Sequence, residues 1–221
     1  MIYVTSDWHL TRENRTSAGL LQKLQLGDLV ICLGDMANDW SLENGRFWFL
    51  HELEQYAPQI LLIDGNHEDF RALNQLPLTY WNGIRVHRMG RGIYHALRGQ
   101  ILHIDGRKIW LMGGGFSGNG YIRRHPDIWQ KEEAPTLEEC RNGTAALAGA
   151  GWKADFMLTH TAPLQLIQER DLTDETDSFN RYLDEIAERT DFRRWYFGHF
   201  HRNQSYGNQY ECIYQELRRL D

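Results

Sequence analysis

Short apolar runs that each stop at a small polar cluster are the feature that most constrains this chain. Residues 2–5, 29–33, 60–63, 109–112, 156–159 and 195–197 form such runs, rich in β-branched and aromatic side chains. Runs of this length, bounded by turn signals, read as buried strands. Helical spacing lies between them. Leu20, Leu21 and Leu24 repeat within residues 17–26, Leu42, Phe49, Leu50 and Leu53 within residues 42–56, and Phe179, Leu183 and Ile186 within residues 179–187. Thr136, three residues before Glu139, has the capping-box pattern that opens a helix running to about residue 147. Strand, helix, strand in succession predicts right-handed βαβ units. Residues 84–112 instead alternate apolar and polar types around Gly90, Gly92, Gly99 and Gly106, the pattern of antiparallel hairpins. The expectation is an α/β protein with mixed sheets and helices outside.

Composition narrows the function classes. A chain of 221 residues predicts one domain over residues 1–221, and 42% hydrophobic with 24% charged residues is ordinary for a soluble globular protein. A formal net charge of −6 disfavours broad attraction to nucleic acid or anionic membranes. Cys32, Cys140 and Cys212 form an odd, scattered set, which predicts reduced thiols. Met1 leads straight into the first apolar run, and no run approaches the roughly 18 residues that cross a bilayer. The expected location is the cytoplasm. The 8 tryptophans are expected in the core or at its rim.

Five polar clusters follow the apolar runs: Asp7-Trp8-His9, Gly34-Asp35, Gly65-Asn66-His67-Glu68, Thr159-His160 and Gly198-His199-Phe200-His201. Ligands of open α/β sheets bind outside the carboxyl ends of strands, so such clusters can converge on one crevice. One Asp or His after a strand is more often a turn residue than a ligand. Five clusters of Asp, Asn and His together are not explained by turns alone. A mixed nitrogen and oxygen set suits manganese, iron or zinc, and the absence of Cys argues against a structural zinc site.

These residues resemble the calcineurin-like metallophosphoesterase superfamily, on Asp7-x-His9, Gly34-Asp35, Gly65-Asn66-His67-Glu68, His160 and Gly198-His199-x-His201, in the family's order and across nearly the whole chain. A less specific likeness to small bacterial and phage members rests on residues 113–117, on Trp129 with Glu133-Ala134-Pro135-Thr136 and on residues 158–163. The resemblance implies a four-layer α/β/β/α sandwich of two mixed sheets flanked by helices. It also implies two divalent metal ions, with manganese the expected activator in vitro. Asp7, His9 and His201 would hold one ion, Asn66, His160 and His199 the other, and Asp35 would bridge them. A hydroxide shared by the ions would attack phosphorus in line, with His67 as general acid or charge stabiliser. Two ions would bring +4 against −3 from Asp7, Asp35 and the hydroxide, so an acidic protein can still attract a phosphate.

The likeness to the Ser/Thr protein phosphatases within the superfamily is partial. Their Gly-Asp-x-x-Asp-Arg-Gly block reads Gly34-Asp35-Met36-Ala37-Asn38-Asp39 here, and Asp64 stands where they carry an Arg before Gly-Asn-His. Two bidentate phosphate contacts are thereby lost. Arg123 and Arg124 are candidates to replace them, and Asp39 to orient His67. The glycines from Gly113 to Gly120 lack a following Lys-Ser/Thr and do not form a nucleotide P-loop. His51 is expected on a helix face, and His87, His95, His103 and His125 on solvent-facing strands or loops. The expected substrate is a phosphoester, mono- or diester, carried by a small molecule or a protein. A nuclease or cyclic-nucleotide-type phosphodiesterase and a non-catalytic metal- or phosphate-binding module are the alternatives.

Overall fold

The computed structural model, which describes residues 1–56, 58–118, 130–173 and 176–221, turns the apolar runs into the centres of two sheets. In chain order the first strands are β1 (Ile2–Thr5), β2 (Leu29–Cys32), β3 (Leu42–Glu43), β4 (Arg46–Phe47), β5 (Gln59–Leu62), β6 (Leu78–Trp81), β7 (Ile84–Gly90) and β8 (Ile93–Ala96). They continue with β9 (Gln100–Ile104), β10 (Arg107–Met112), β11 (Lys153–Thr159), β12 (Asp191–Phe197), β13 (Gln204–Tyr206), β14 (Tyr210–Cys212) and β15 (Arg218–Arg219). The α-helices are α1 (Trp48–Leu53), α2 (Phe70–Leu73), α3 (Leu137–Gly149), α4 (Leu164–Glu169) and α5 (Ser178–Arg189).

The first sheet has the order β15-β1-β2-β5-β8-β7-β6, with β1, β2, β5 and β8 parallel and the β15–β1, β8–β7 and β7–β6 pairings antiparallel. The second has the order β13-β14-β12-β11-β10-β9, with β14, β12, β11 and β10 parallel between antiparallel edges. Successive side chains on a strand face opposite ways, so each run divides between two cores. Leu29, Ile31 and Leu61 of the first sheet meet Ile109, Leu111, Phe156 and Leu158 of the second. Their neighbours Val30, Cys32, Ile60 and Leu62 face outward onto Leu21 and onto Phe49, Leu50 and Leu53 of α1. Trp110, Met112, Met157 and Trp195 likewise face Leu147 of α3 and Phe179, Leu183 and Ile186 of α5. Strands buried on both faces cannot alternate apolar with polar residues, which explains the continuous runs. The layers are helix, sheet, sheet, helix, as expected.

Trp8, Trp110 and Trp195 are fully buried, and their indole N–H groups donate to Thr5 Oγ1, the Gly143 carbonyl and Thr159 Oγ1. Helix α3 starts at the Thr136–Glu139 capping box, with both reciprocal bonds formed. Among the described residues, no helix is long and apolar enough to cross a membrane.

Three local expectations are corrected. Residues 42–56 are not one helix: Asn44 (φ 52°) and Gly45 (φ 78°) turn a β3–β4 hairpin, and α1 begins only at Trp48. Leu42 fits the helical spacing but is 63% exposed, and the Asn-Gly pair, an intrinsic hairpin signal, prevails over it. Residues 17–26 form a 3₁₀ segment, Thr16–Lys23, rather than an α-helix. His87 and His95 are buried, not solvent-facing. His95 Nε2 lies 3.1 Å from Asp64 Oδ1, and His87 Nδ1 lies 3.1 Å from His95 Nδ1, so both rings are drawn inward by a buried carboxylate.

Arg98 completes that buried group. Its Nε donates to Asp64 Oδ2 at 2.7 Å, its Nη2 to the same oxygen and its Nη1 to Glu139 Oε2 at 3.3 Å. Burial alone would push the Asp64 carboxyl up, but Arg98 and His95 hold it well below the usual carboxylate range. Removing one partner of such a pair leaves an uncompensated buried charge. Arg98→Met is therefore expected to lower unfolding free energy by about 3–5 kcal/mol in urea denaturation. Adding Asp64→Asn to Arg98→Met should recover part of that loss; strictly additive losses would show that the two side chains are not coupled.

Candidate metal centre

The parallel strands of both sheets present their carboxyl ends to one edge of the sandwich. Asp7 and His9 follow β1, Asp35 follows β2 and Asn66 and His67 follow β5, all in the first sheet. His160 follows β11, and His199 and His201 follow β12, in the second. Cross-sheet hydrogen bonds join the two groups. The His199 backbone N–H donates to Asp7 Oδ2 at 3.0 Å, and His160 Nδ1 lies 2.7 Å from the Leu33 carbonyl. Gly198 sits at the closest approach, where a Cβ would run into Ser6 and Asp7.

The side chains converge as two donor sets. In one, His9 Nε2 and His201 Nε2 are 3.0 Å apart, and Asp7 Oδ1 lies 3.4 Å from His201 Nε2 and 3.9 Å from His9 Nε2. In the other, Asn66 Oδ1 lies 3.0 Å from His160 Nε2 and 2.9 Å from His199 Nδ1, and the two imidazole nitrogens are 3.2 Å apart. Asp35 Oδ2 stands between the sets, 3.7 Å from His9 Nε2 and 3.5 Å from His160 Nε2. Neighbouring ligands on a cation with bonds of about 2.0–2.2 Å are separated by about 3.0–3.5 Å, close to all of these distances but the 3.9 Å between Asp7 and His9. All seven expected ligands are thus brought together.

Supporting contacts fix which atom faces inward. His160 Nδ1–H donates to the Leu33 carbonyl and His9 Nδ1–H to Asn38 Oδ1 (2.8 Å), which leaves each Nε2 lone pair toward the centre. The His201 ring stacks on Tyr214 at 4.7 Å. Asp35 divides its labour: Oδ1 accepts the backbone N–H groups of Asn66 (3.0 Å) and His67 (2.9 Å), and Oδ2 faces the imidazoles. Glu68 ties the same two loops together by accepting from the Met36 and Gly65 N–H groups. The backbone bends sharply here. Asp7, His9, Asp35, His199 and His201 all have positive φ, between 46° and 69°. Such conformations in non-glycine residues concentrate where function demands them.

Burial opposes charge on the Asp35 carboxyl, but His160, His67, His9 and His199 outweigh it and hold the group at about 2. Burial and His160 push His199 down to about 4, against the pull of Asp35 and Asp7. A hydrogen bond to Asp7 raises His201 above its ordinary value of 6.5. An ionised Asp35 beside a neutral His199 is the state a cation requires.

Asp7, Asp35 and His160 form a buried floor, while His67 and His201 are exposed at the mouth. The His67 ring meets His9 edge-on at 5.5 Å. Asp39 does not take up the orienting role expected of it, because its carboxylate accepts from the Ser41 N–H and pairs with Arg12. Sequence reasoning missed Asn38 as the partner of His9, although it keeps an acceptor oxygen at the position noted as altered. It also missed Tyr214, which no motif marks. Arg123, Arg124 and His125 lie outside the described residues. A separate cleft of about 770 Å³, lined by Asp64, His95, Arg98 and Gln100 among others, contains none of these ligands. Its floor is already satisfied internally, since Gln100 and Arg98 direct their donors to backbone and carboxylate oxygens.

Comparison with known proteins bears directly on this centre. The family model described as calcineurin-like phosphoesterase matches residues 1–203, which include every candidate ligand. No curated protein matches the chain. Among solved structures, the crystal structure of the protein of unknown function AQ665 from Aquifex aeolicus is similar at 18% identity, over 73% of this chain and 80% of that one, with a TM-score of 0.37.

The electrostatics give a direct expectation for the metal-free protein. Histidine NMR titration should place His199 near 4 and His201 above 6.5. The unfolded chain binds the His199 proton at about 6.5 and the folded one at about 4, so the contribution of His199 to stability is full above about 6.5 and is lost as pH falls through about 4. A His199 that titrates at its ordinary value would contradict the burial on which this ordering rests.

Proposed function

The chain belongs to the calcineurin-like phosphoesterase family, whose chemistry is metal-dependent phosphoester hydrolysis, and from that premise we propose that it works with two divalent ions. Asp7, His9 and His201 would hold one, and Asn66, His160 and His199 the other. The observation that carries this reading is the position of Asp35 Oδ2, 3.7 Å from a nitrogen of one donor set and 3.5 Å from a nitrogen of the other. A single carboxylate oxygen so placed is fitted to be shared.

When bound, the ions would polarise the phosphoryl oxygens and lower the pKa of water. The chain's residues supply positioning and proton transfer. Asp35 anchors the His67 backbone N–H at 2.9 Å, so the general acid is held at a set offset from the shared carboxylate. The exposed His67 imidazole can then donate a proton to the departing oxygen without moving the ligands. The solvent-facing mouth admits a phosphoester of a small molecule or a protein.

Metal analysis with assays on p-nitrophenyl phosphate and its bis-ester in Mn²⁺ tests this reading. The purified protein should carry about two ions and turn over at least one ester, the faster one separating monoesterase from diesterase action. His67→Ala should retain metal and lose about 10²–10⁴-fold in rate; unchanged turnover would remove His67 from the mechanism. Asp35→Asn should lower occupancy at both positions, and loss of only one ion would refute the shared carboxylate. One ion or none, without hydrolysis, would leave the binding-module alternative.

A further inference from the structure

Asn66 is an unusual ligand because its amide has two nearly identical faces. The carbonyl oxygen binds a cation and the NH₂ group repels one, so something must decide which arm points inward. Asn66 Nδ2 lies 3.0 Å from Ser117 Oγ and donates to it. Ser117, within the glycine-rich loop, is buried at 5% exposure. Among the described residues its hydroxyl is the acceptor of that NH₂ group.

We propose that Ser117 is a positioning residue that accepts from the NH₂ arm of Asn66 while the amide oxygen faces His160 and His199, and thereby sets cation affinity on that side of the centre. The proposal rests on the two-ion reading above. With the amide so turned, Asn66 Oδ1 sits 3.0 Å from His160 Nε2 and 2.9 Å from His199 Nδ1. A flipped amide would put N–H donors there instead, aimed at the cation.

Ser117 can act this way because it is itself held by a closed ring of contacts. Its backbone N–H donates to Glu133 Oε1 at 3.0 Å, and Glu133 is 2% exposed. The Glu132 and Glu133 carbonyls accept from Arg98 Nη2 at 2.7 Å and 3.2 Å. Arg98 pairs with Asp64, and the Asp64 carbonyl accepts the Gly114 N–H at 2.7 Å. Asp64 then leads through Gly65 to Asn66, which closes the ring. The loop also lies flush on the ligands, since a Cβ on Gly115 would stand 2.9 Å from His160 Cδ2 and 3.2 Å from Asn66 Oδ1. Partners of this kind behind a ligand alter metal affinity by about 10–100-fold.

The test is Mn²⁺ titration by calorimetry, with the EPR signature of a coupled ion pair as a second readout, on wild type, Ser117→Ala, Ser117→Thr and His160→Ala. Ser117→Ala should weaken one of the two sites about 10–100-fold and leave the other unchanged, while Ser117→Thr, which keeps the hydroxyl, restores wild-type binding. His160→Ala should abolish the same site. If His160→Ala loses that site and Ser117→Ala binds as wild type, the positioning role is wrong and the two-ion reading stands. If Ser117→Ala weakens both sites alike, or Ser117→Thr behaves as Ser117→Ala, the effect is general loosening and the proposal is overturned. If wild type binds fewer than two ions, or His160→Ala changes nothing, the two-ion reading falls and the proposal with it.

Discussion

Everything at the candidate centre depends on two sheets being pinned together at their carboxyl ends. Hydrophobic packing between Ile31 or Leu61 and Leu111 or Leu158 brings the sheets face to face, but packing is non-directional and tolerates small slides. The polar contacts at the edge do not. His160 reaches across to the Leu33 carbonyl, and His199 gives its backbone N–H to Asp7. These directional bonds fix the offset between the sheets. Ligands from β1, β2 and β5 can meet ligands from β11 and β12 only at one such offset. The same groups that would hold metal therefore also set the register of the sandwich.

Much of this was legible in the sequence because its causes are local. A strand buried on both faces must be apolar throughout, and that leaves a readable run such as residues 29–33. A capping box needs only Thr136 and Glu139. The ligands are legible as a set because each follows its strand directly. What escaped reading depends on partners far away in the chain. His87 and His95 alternate like exposed strand residues until Asp64 and Arg98 are seen beneath them. Leu42 suits a helix by spacing alone, yet the Asn44-Gly45 turn decides its conformation. Asn38 stood out as a departure from the phosphatase block, but its bond to His9 across 29 residues appears only on folding.

The charge pattern follows a similar division between sum and place. A formal net charge of −6 describes the surface as a whole and says little about the centre. There, two carboxylates are surrounded by five imidazoles, four of which lower the pKa of Asp35. Arg98, a buried guanidinium, is occupied with Asp64, Glu139 and two backbone carbonyls. The phosphatase arginines absent from the motif blocks are thus not replaced by Arg98, which serves the scaffold.

The positive φ of Asp7, His9, Asp35, His199 and His201 restricts what this scaffold can become. Left-handed backbone is tolerated best by glycine and, among residues with side chains, by Asn, Asp and His. Those three are also oxygen and nitrogen ligands for divalent ions. At five positions the peptide chain therefore filters the alphabet before coordination chemistry does. A redesign that sought a softer metal by introducing Cys, or a longer reach with Glu, would meet resistance from the main chain first. The repertoire of metals open to this fold is bounded by torsion angles as much as by donor atoms.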